Sequence, residues 1–112
     1  MKRPNLNRKL TLEAPEDIAD GAGGHRRTWV ALGEHWAELR AGTGRERAVE
    51  ATTASRVPWK ITVRAAPHGA PSRPRPDQRF RAGARVFRIL AVAEADSAGR
   101  YLTCFAHEEV SA

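Results

Sequence analysis

Four histidines, His25, His35, His68 and His107, are the residues of this 112-residue chain best suited to metal binding or proton transfer. Their spacing puts no two of them on one face of a helix or strand, so neither a zinc site nor a cofactor site is expected. The paired carboxylates fare no better. Glu108 and Glu109 are adjacent, and a strand would send them to opposite faces, while Glu16 and Asp17 sit in a glycine-rich stretch with no base at a set distance. The serines lack the context of a nucleophile elbow. Gly21-Ala22-Gly23-Gly24 lacks the preceding apolar strand, the lysine and the following helix of a phosphate loop. The one cysteine, Cys104, excludes an internal disulfide and falls in the alternating segment YLTCFAH, where it reads as a small buried hydrophobe. No catalytic constellation emerges, and the chain is not expected to be an enzyme.

Charge offers a different chemistry. The formal net charge is +6, concentrated between Arg56 and Arg88, where Arg56, Lys60, Arg64, Arg73, Arg75, Arg79, Arg81, Arg85 and Arg88 stand against the lone Asp77. Such a stripe attracts nucleic acid or an acidic protein surface, or it is simply a solvated face. Within it, RFRAGARVFR interleaves Phe80 and Phe87 with Arg79, Arg81, Arg85 and Arg88. One reading is a stacking platform for single-stranded nucleic acid on a small barrel. The other, which we favour, puts Phe87 and Ile89 in the core with the arginines extended along its rim.

The elements that must position these residues are strands. In VPWKITVR, Val57, Trp59, Ile61 and Val63 alternate with Pro58, Lys60, Thr62 and Arg64, the two-residue period of a half-buried strand. Burying the four apolar side chains contributes on the order of 1.5–3 kcal/mol each, as an upper bound. Pro58 cannot donate to a ladder, so this strand should begin near it or lie at a sheet edge. Upstream, Leu6, Leu10 and Leu12 predict a first strand in LNRKLTLEA that stops at Pro15, and PEDIADGAGGHR reads as a loop. TWVALGEHWAEL reads as a long strand bent by a bulge at Gly33, although Trp29, Leu32, Trp36 and Leu39 also fit a helical stripe.

Residues 45–55, RERAVEATTAS, are polar and alanine-rich, a flexible arm with some helical tendency. The four prolines of AAPHGAPSRPRPDQ predict an extended loop that reaches outward. ARVFRILAVAEA and YLTCFAHEEV, joined by Asp96-Ser97-Ala98-Gly99, predict a C-terminal hairpin. The expectation is one all-β domain over residues 1–112. It should be a small barrel or sandwich of about five or six antiparallel strands, with at most one short helix and mobile excursions at about residues 41–56 and 65–79. The apolar runs fall far short of the roughly 20 residues that cross a bilayer, and MKRPNLNRKL has no apolar region of a secretory signal, so no membrane partner is expected.

The order of segments LNRKLTLEAP, a glycine-containing loop, TWVALGEHWAEL, Gly44-Arg45-Glu46, KITVR and GARVFRIL before a closing charged strand resembles the head closure proteins of tailed bacteriophages. These are also called head–tail adaptor, head–tail joining or stopper proteins, and gene transfer agents use similar parts. The resemblance runs from about Leu6 to Glu109, and order and spacing carry it rather than any one motif. It implies a non-enzymatic β-barrel that forms a homo-oligomeric ring, sixfold or twelvefold, below the portal and its bound adaptor. Such a ring retains packaged double-stranded DNA and meets the tail terminator protein. It implies assembly in the bacterial host cytoplasm and residence in the particle neck.

By the same resemblance, the loop from Gly42 to Arg56 projects toward the channel, making Thr43, Arg45, Glu46, Arg47, Glu50 and Arg56 candidate channel-facing or interface residues. For subunit or partner contacts, acidic Glu16, Asp17 and Asp20 are the candidate complement of Arg73, Arg75, Arg79 and Arg81. The alternative is a small basic β-barrel that binds nucleic acid directly, with Arg79, Arg81, Arg85 and Arg88 on phosphates. That alternative predicts a steep salt dependence of binding.

Overall fold

The computed structural model describes residues 2–42 and 56–109. Six strands, β1 (Arg8–Ala19), β2 (His25–Ala41), β3 (Arg56–Arg64), β4 (Arg79–Ala82), β5 (Arg85–Glu94) and β6 (Tyr101–Glu109), follow one another with no helix among the described residues. They pair antiparallel in the order β1-β2-β3-β6-β5-β4, and β4 pairs in turn with β1, closing a barrel. The all-β architecture inferred from alternation is the one observed.

Alternation in VPWKITVR produces β3 and fills the barrel from one side. Ile61 and Val63 are fully buried, Trp59 packs against the core, and opposite them on β6 stand Cys104, Leu102 and Ala106. Pro58 is the third residue of a strand flanked on both sides, by β2 and β6. Proline is tolerated there because it lies near the strand start, and its carbonyl still accepts the Gly42 N–H at 2.9 Å. Leu10 and Leu12 of β1, Phe80 of β4 and Phe87 and Ile89 of β5 complete the same core.

Cys104 behaves as the small buried hydrophobe its context predicts. It is fully buried, and burial pushes its thiol up to about 12. A maleimide or iodoacetamide reagent at pH 8 is therefore expected to label the protein only under denaturing conditions. Rapid stoichiometric labelling of the native chain would contradict this placement.

The long second strand is bent as predicted, and no helix forms there. Leu12 pairs with Gly33 while Glu13 pairs with Ala31, so Leu32 is an extra residue on β2, and Gly33 adopts φ 147°. This bulge has a side-chain consequence. Trp29 and Trp36 are seven residues apart and would lie on opposite faces of a regular strand, but the inserted residue turns both outward.

Three boundaries differ from expectation. β1 does not stop at Pro15 but runs to Ala19, so most of the expected PEDIADGAGGHR loop belongs to a β1–β2 ribbon. Pro15 is accommodated because the last β1–β4 pair is Glu13 with Arg79, and beyond it one side of β1 is open. The turn itself is short: Asp20 Oδ1 accepts the N–H groups of Ala22 at 2.8 Å and Gly24 at 3.0 Å, with Gly21 and Gly23 at positive φ.

The second difference is β4, a four-residue strand within RFRAGARVFR, joined to β5 by Gly83-Ala84 with Gly83 at φ 60°. Glycine at the first position of a two-residue hairpin supplies the turn hand that matches strand twist. Third, the proline-rich segment does not reach outward. Pro74 is fully buried, His35 Nε2 donates to the Ser72 carbonyl at 2.7 Å, and the Ile89 N–H donates to the Gln78 carbonyl at 2.9 Å. Proline forbids ladder donors, yet its ring buries well and neighbouring carbonyls still accept, so the segment packs back on the barrel. The arm expected over residues 45–55 lies outside the described residues.

The C-terminal hairpin forms as predicted. Asp96 Oδ1 accepts the N–H groups of Arg100 at 2.8 Å and Tyr101 at 3.2 Å, and Gly99 takes φ 67°. A bulge at Leu90 leaves that side chain 49% exposed.

Candidate interaction surface

The basic stripe divides into arginines with internal partners and arginines without. β4 brings Arg79 and Arg81 across from Glu13 and Thr11 on the outer wall. There Arg79 Nε donates to Glu13 Oε1 at 2.7 Å and Arg81 Nε to Glu13 Oε2 at 2.9 Å. Glu13 is only 5% exposed. Burial alone would raise its carboxyl, but the hydrogen bonds and charges of the two arginines outweigh burial and hold it below the ordinary range. Trp29, turned outward by the bulge, lies beneath Arg79 at 4.1 Å and Arg88 at 5.3 Å from its ring centroid.

A second cluster closes one end of the barrel. Arg85 holds Glu108 through two parallel bonds of 2.7 and 3.0 Å, and Trp59 Nε1 donates to Glu108 Oε1 at 3.0 Å. The Arg85 guanidinium also lies 4.9 Å from the centroid of Phe87. The Arg85 bond lowers the Glu108 carboxyl against the opposing effect of burial, and the same bond raises Arg85. Both carboxylates are thus fixed as anions that hold strands together.

This arrangement bears out the favoured reading, with Phe87 and Ile89 in the core, and overturns the stacking platform. Phe80 and Phe87 have no exposed surface and belong to the core, so no base can stack on them. Arg79, Arg81 and Arg85 are engaged with carboxylates at the rim. Sequence reasoning missed Glu13, because its partners lie far along the chain and meet it only through barrel closure.

Of the other predicted residues, Arg73 donates Nη1 to the Ala66 carbonyl at 2.8 Å, and Arg75 is exposed with its backbone N–H on Gln78 Oε1 at 3.0 Å. Arg73, Arg75, His68 and Gln78 wall a cleft of about 560 Å³ over Ala14 and Leu32. Asp17 pairs with Arg27 within the ribbon at 3.1 Å, Asp20 organises the turn, and Glu16 is exposed. Among the described residues no ion pair within the chain joins Glu16, Asp17 or Asp20 to Arg73, Arg75, Arg79 or Arg81. Thr43, Arg45, Glu46, Arg47 and Glu50 lie outside the described residues, and Arg56 opens β3 opposite Glu109. Among the described residues no three His, Cys, Asp or Glu side chains gather into a metal site.

A barrel whose charged side chains serve closure matches a known family over nearly its whole length: the sequence pattern of the phage head completion proteins covers residues 1–109. The chain belongs to this family. A chain solved in the virion of a native gene transfer agent particle is 55% identical, with a TM-score of 0.79 over 98% of this chain and 100% of that one. A protein of Shigella flexneri 2a, known from a solution structure, shares 19% identity and a TM-score of 0.67 over 96% of each chain, which shows the common fold. Among curated proteins no significant match was found.

Proposed function

We propose that this head completion protein is a structural neck component of a gene transfer agent or related phage-like particle. It forms a homo-oligomeric ring between the portal-bound adaptor and the tail, closes the DNA-filled head and offers the surface on which the tail docks. The observation that carries this is the 55% identity, over 98% of the chain, to a subunit of a native gene transfer agent virion. The chemistry of the barrel accords with a structural role. Glu13 and Glu108 are held ionised by arginines and spent on closure, whereas a catalytic acid or base needs a carboxyl tuned toward the working pH.

In this assignment Thr43, Arg45, Glu46, Arg47, Glu50 and Arg56, between β2 and β3, face the channel and its packaged double-stranded DNA. The exposed acidic side of the β1–β2 ribbon, with Glu16 foremost, meets the arginines of a neighbour. Of the four candidate arginines, Arg73 and Arg75 have no carboxylate partner among the described residues, whereas Arg79 and Arg81 share Glu13.

Deleting the gene tests the assignment. Electron microscopy of the lysate is expected to show filled heads without tails, or heads that have lost their DNA. Normal tailed particles in its absence would overturn it.

A further inference from the structure

Beyond the barrel, β1 and β2 continue as a ribbon that pairs with neither neighbouring strand. β1 has no β4 partner after Glu13, and β2 meets β3 only from Ala37 onward, so Ala14–Ala19 and His25–Trp36 have open edges. A two-stranded ribbon is marginally stable in water at best. On the face that continues the inner wall of the barrel, Ala14 stands opposite Val30, Glu16 opposite Thr28 and Ile18 opposite Arg26. Ile18 is 39% and Val30 41% exposed on it.

A second uncovered apolar patch lies at the fork where β2 parts from β3. Trp36 is 57% exposed there, beside a groove of about 720 Å³ lined by Leu6, Ala65 and Ala66 and walled by Glu34 and Arg64. A large aromatic side chain left this open beside a groove is the usual anchor of a protein interface.

Two different apolar patches on one chain suit head-to-tail association, in which one patch of each copy meets the other patch of the next. Charge selects the pairing. Arg79 and Arg81 share Glu13, and Arg73 and Arg75 line a separate cleft over Ala14 and Leu32, whereas exposed Arg64 walls the Trp36 groove, rests over the Tyr101 ring at 5.8 Å and has no carboxylate partner among the described residues. The ribbon supplies one in Glu16, which is exposed and flanked by Ile18 on the same face.

We propose that the β1–β2 ribbon of one copy lies in the Trp36 groove of the next, with Ile18 and Val30 against Trp36 and Leu6 and Glu16 against Arg64. The contact rests on the homo-oligomeric ring proposed above and gives it a specific subunit interface. It orders the ribbon at the moment of assembly.

Particles carrying the double variant I18C/A66C, treated with a short bismaleimide and run on a denaturing gel, test the contact. Native Cys104 is buried and does not compete. A ladder of chain multimers, absent from either single variant, is expected. Particles that contain the chain but give no ladder would overturn the proposal, as would self-linking of the I18C single variant or its linking to another particle protein. A second variant, W36D, changes an exposed side chain and is expected to melt like wild type while entering particles roughly tenfold less. Incorporation at the wild-type level would also overturn the interface. An immunoblot of untreated wild-type particles separates the two levels: if the chain is missing there, the ring assignment falls together with the contact.

Discussion

Phe80→Ala is expected to destabilise the protein by about 3–5 kcal/mol, a large share of the 5–15 kcal/mol typical of a native domain. Phe80 is the fully buried anchor of β4, a strand of only four residues, and its ring meets His35 edge-to-face at 5.9 Å between centroids. It stands between Leu12 of β1 and Phe87 of β5, so it seals the closure of the barrel on both sides. Removing it opens a cavity where the strand is too short to hold by backbone bonds alone. Denaturant unfolding should show the loss in midpoint, and hydrogen exchange should show the β4 amides losing protection ahead of those of β3 and β6. A variant within 1 kcal/mol of wild type would mean that β4 is held by its arginines and not by its phenylalanine.

Glu13→Gln should cost about 2 kcal/mol at neutral pH, because one charge-assisted bond becomes a weaker neutral one, the other is lost against an amide NH2 that cannot accept it, and two arginines lose their counter-charge. The pH dependence identifies the cause. The Glu13 carboxyl is held below its ordinary value of 4.5 in the folded protein, so its contribution is complete above that value and is lost as pH falls through it and below. Wild type and variant should therefore draw together in stability as pH drops below 4.5, while Glu108 and Asp96, also lowered, keep a residual acid dependence in both. Parallel curves with a constant gap would show that Glu13 acts through packing and not through charge.

Much of the barrel was legible in local pattern. The alternation of Trp59, Ile61 and Val63, the glycine-marked bulge at Gly33 and the Asp96–Gly99 turn each express a constraint that a few neighbouring residues set, and each formed where predicted. The misplaced boundaries share a physical origin. Pro15 reads as a strand stop unless one knows that β4 has already left that edge of β1, and the prolines from Pro67 to Pro76 read as an outward loop unless one knows that Pro74 finds a buried seat. Proline removes a donor, and whether the loss matters depends on the partner opposite, which need not be near in sequence.

The candidate surface was the less legible part. The arginines of RFRAGARVFR look alike in sequence, yet Glu13, 66 residues from Arg79, is shared by two of them, and Glu108 takes a third. Sequence alone determined the all-β class, the core phase of β3, the buried thiol and a resemblance to the family. Only the tertiary structure decided which arginines are already paired, that Phe80 joins Phe87 in the core, and that Ile18, Val30 and Trp36 are left uncovered. The reason is range. Alternation and turn chemistry act between near neighbours, whereas ion pairing and exposure are fixed by barrel closure, which joins β4 to β1 across most of the chain.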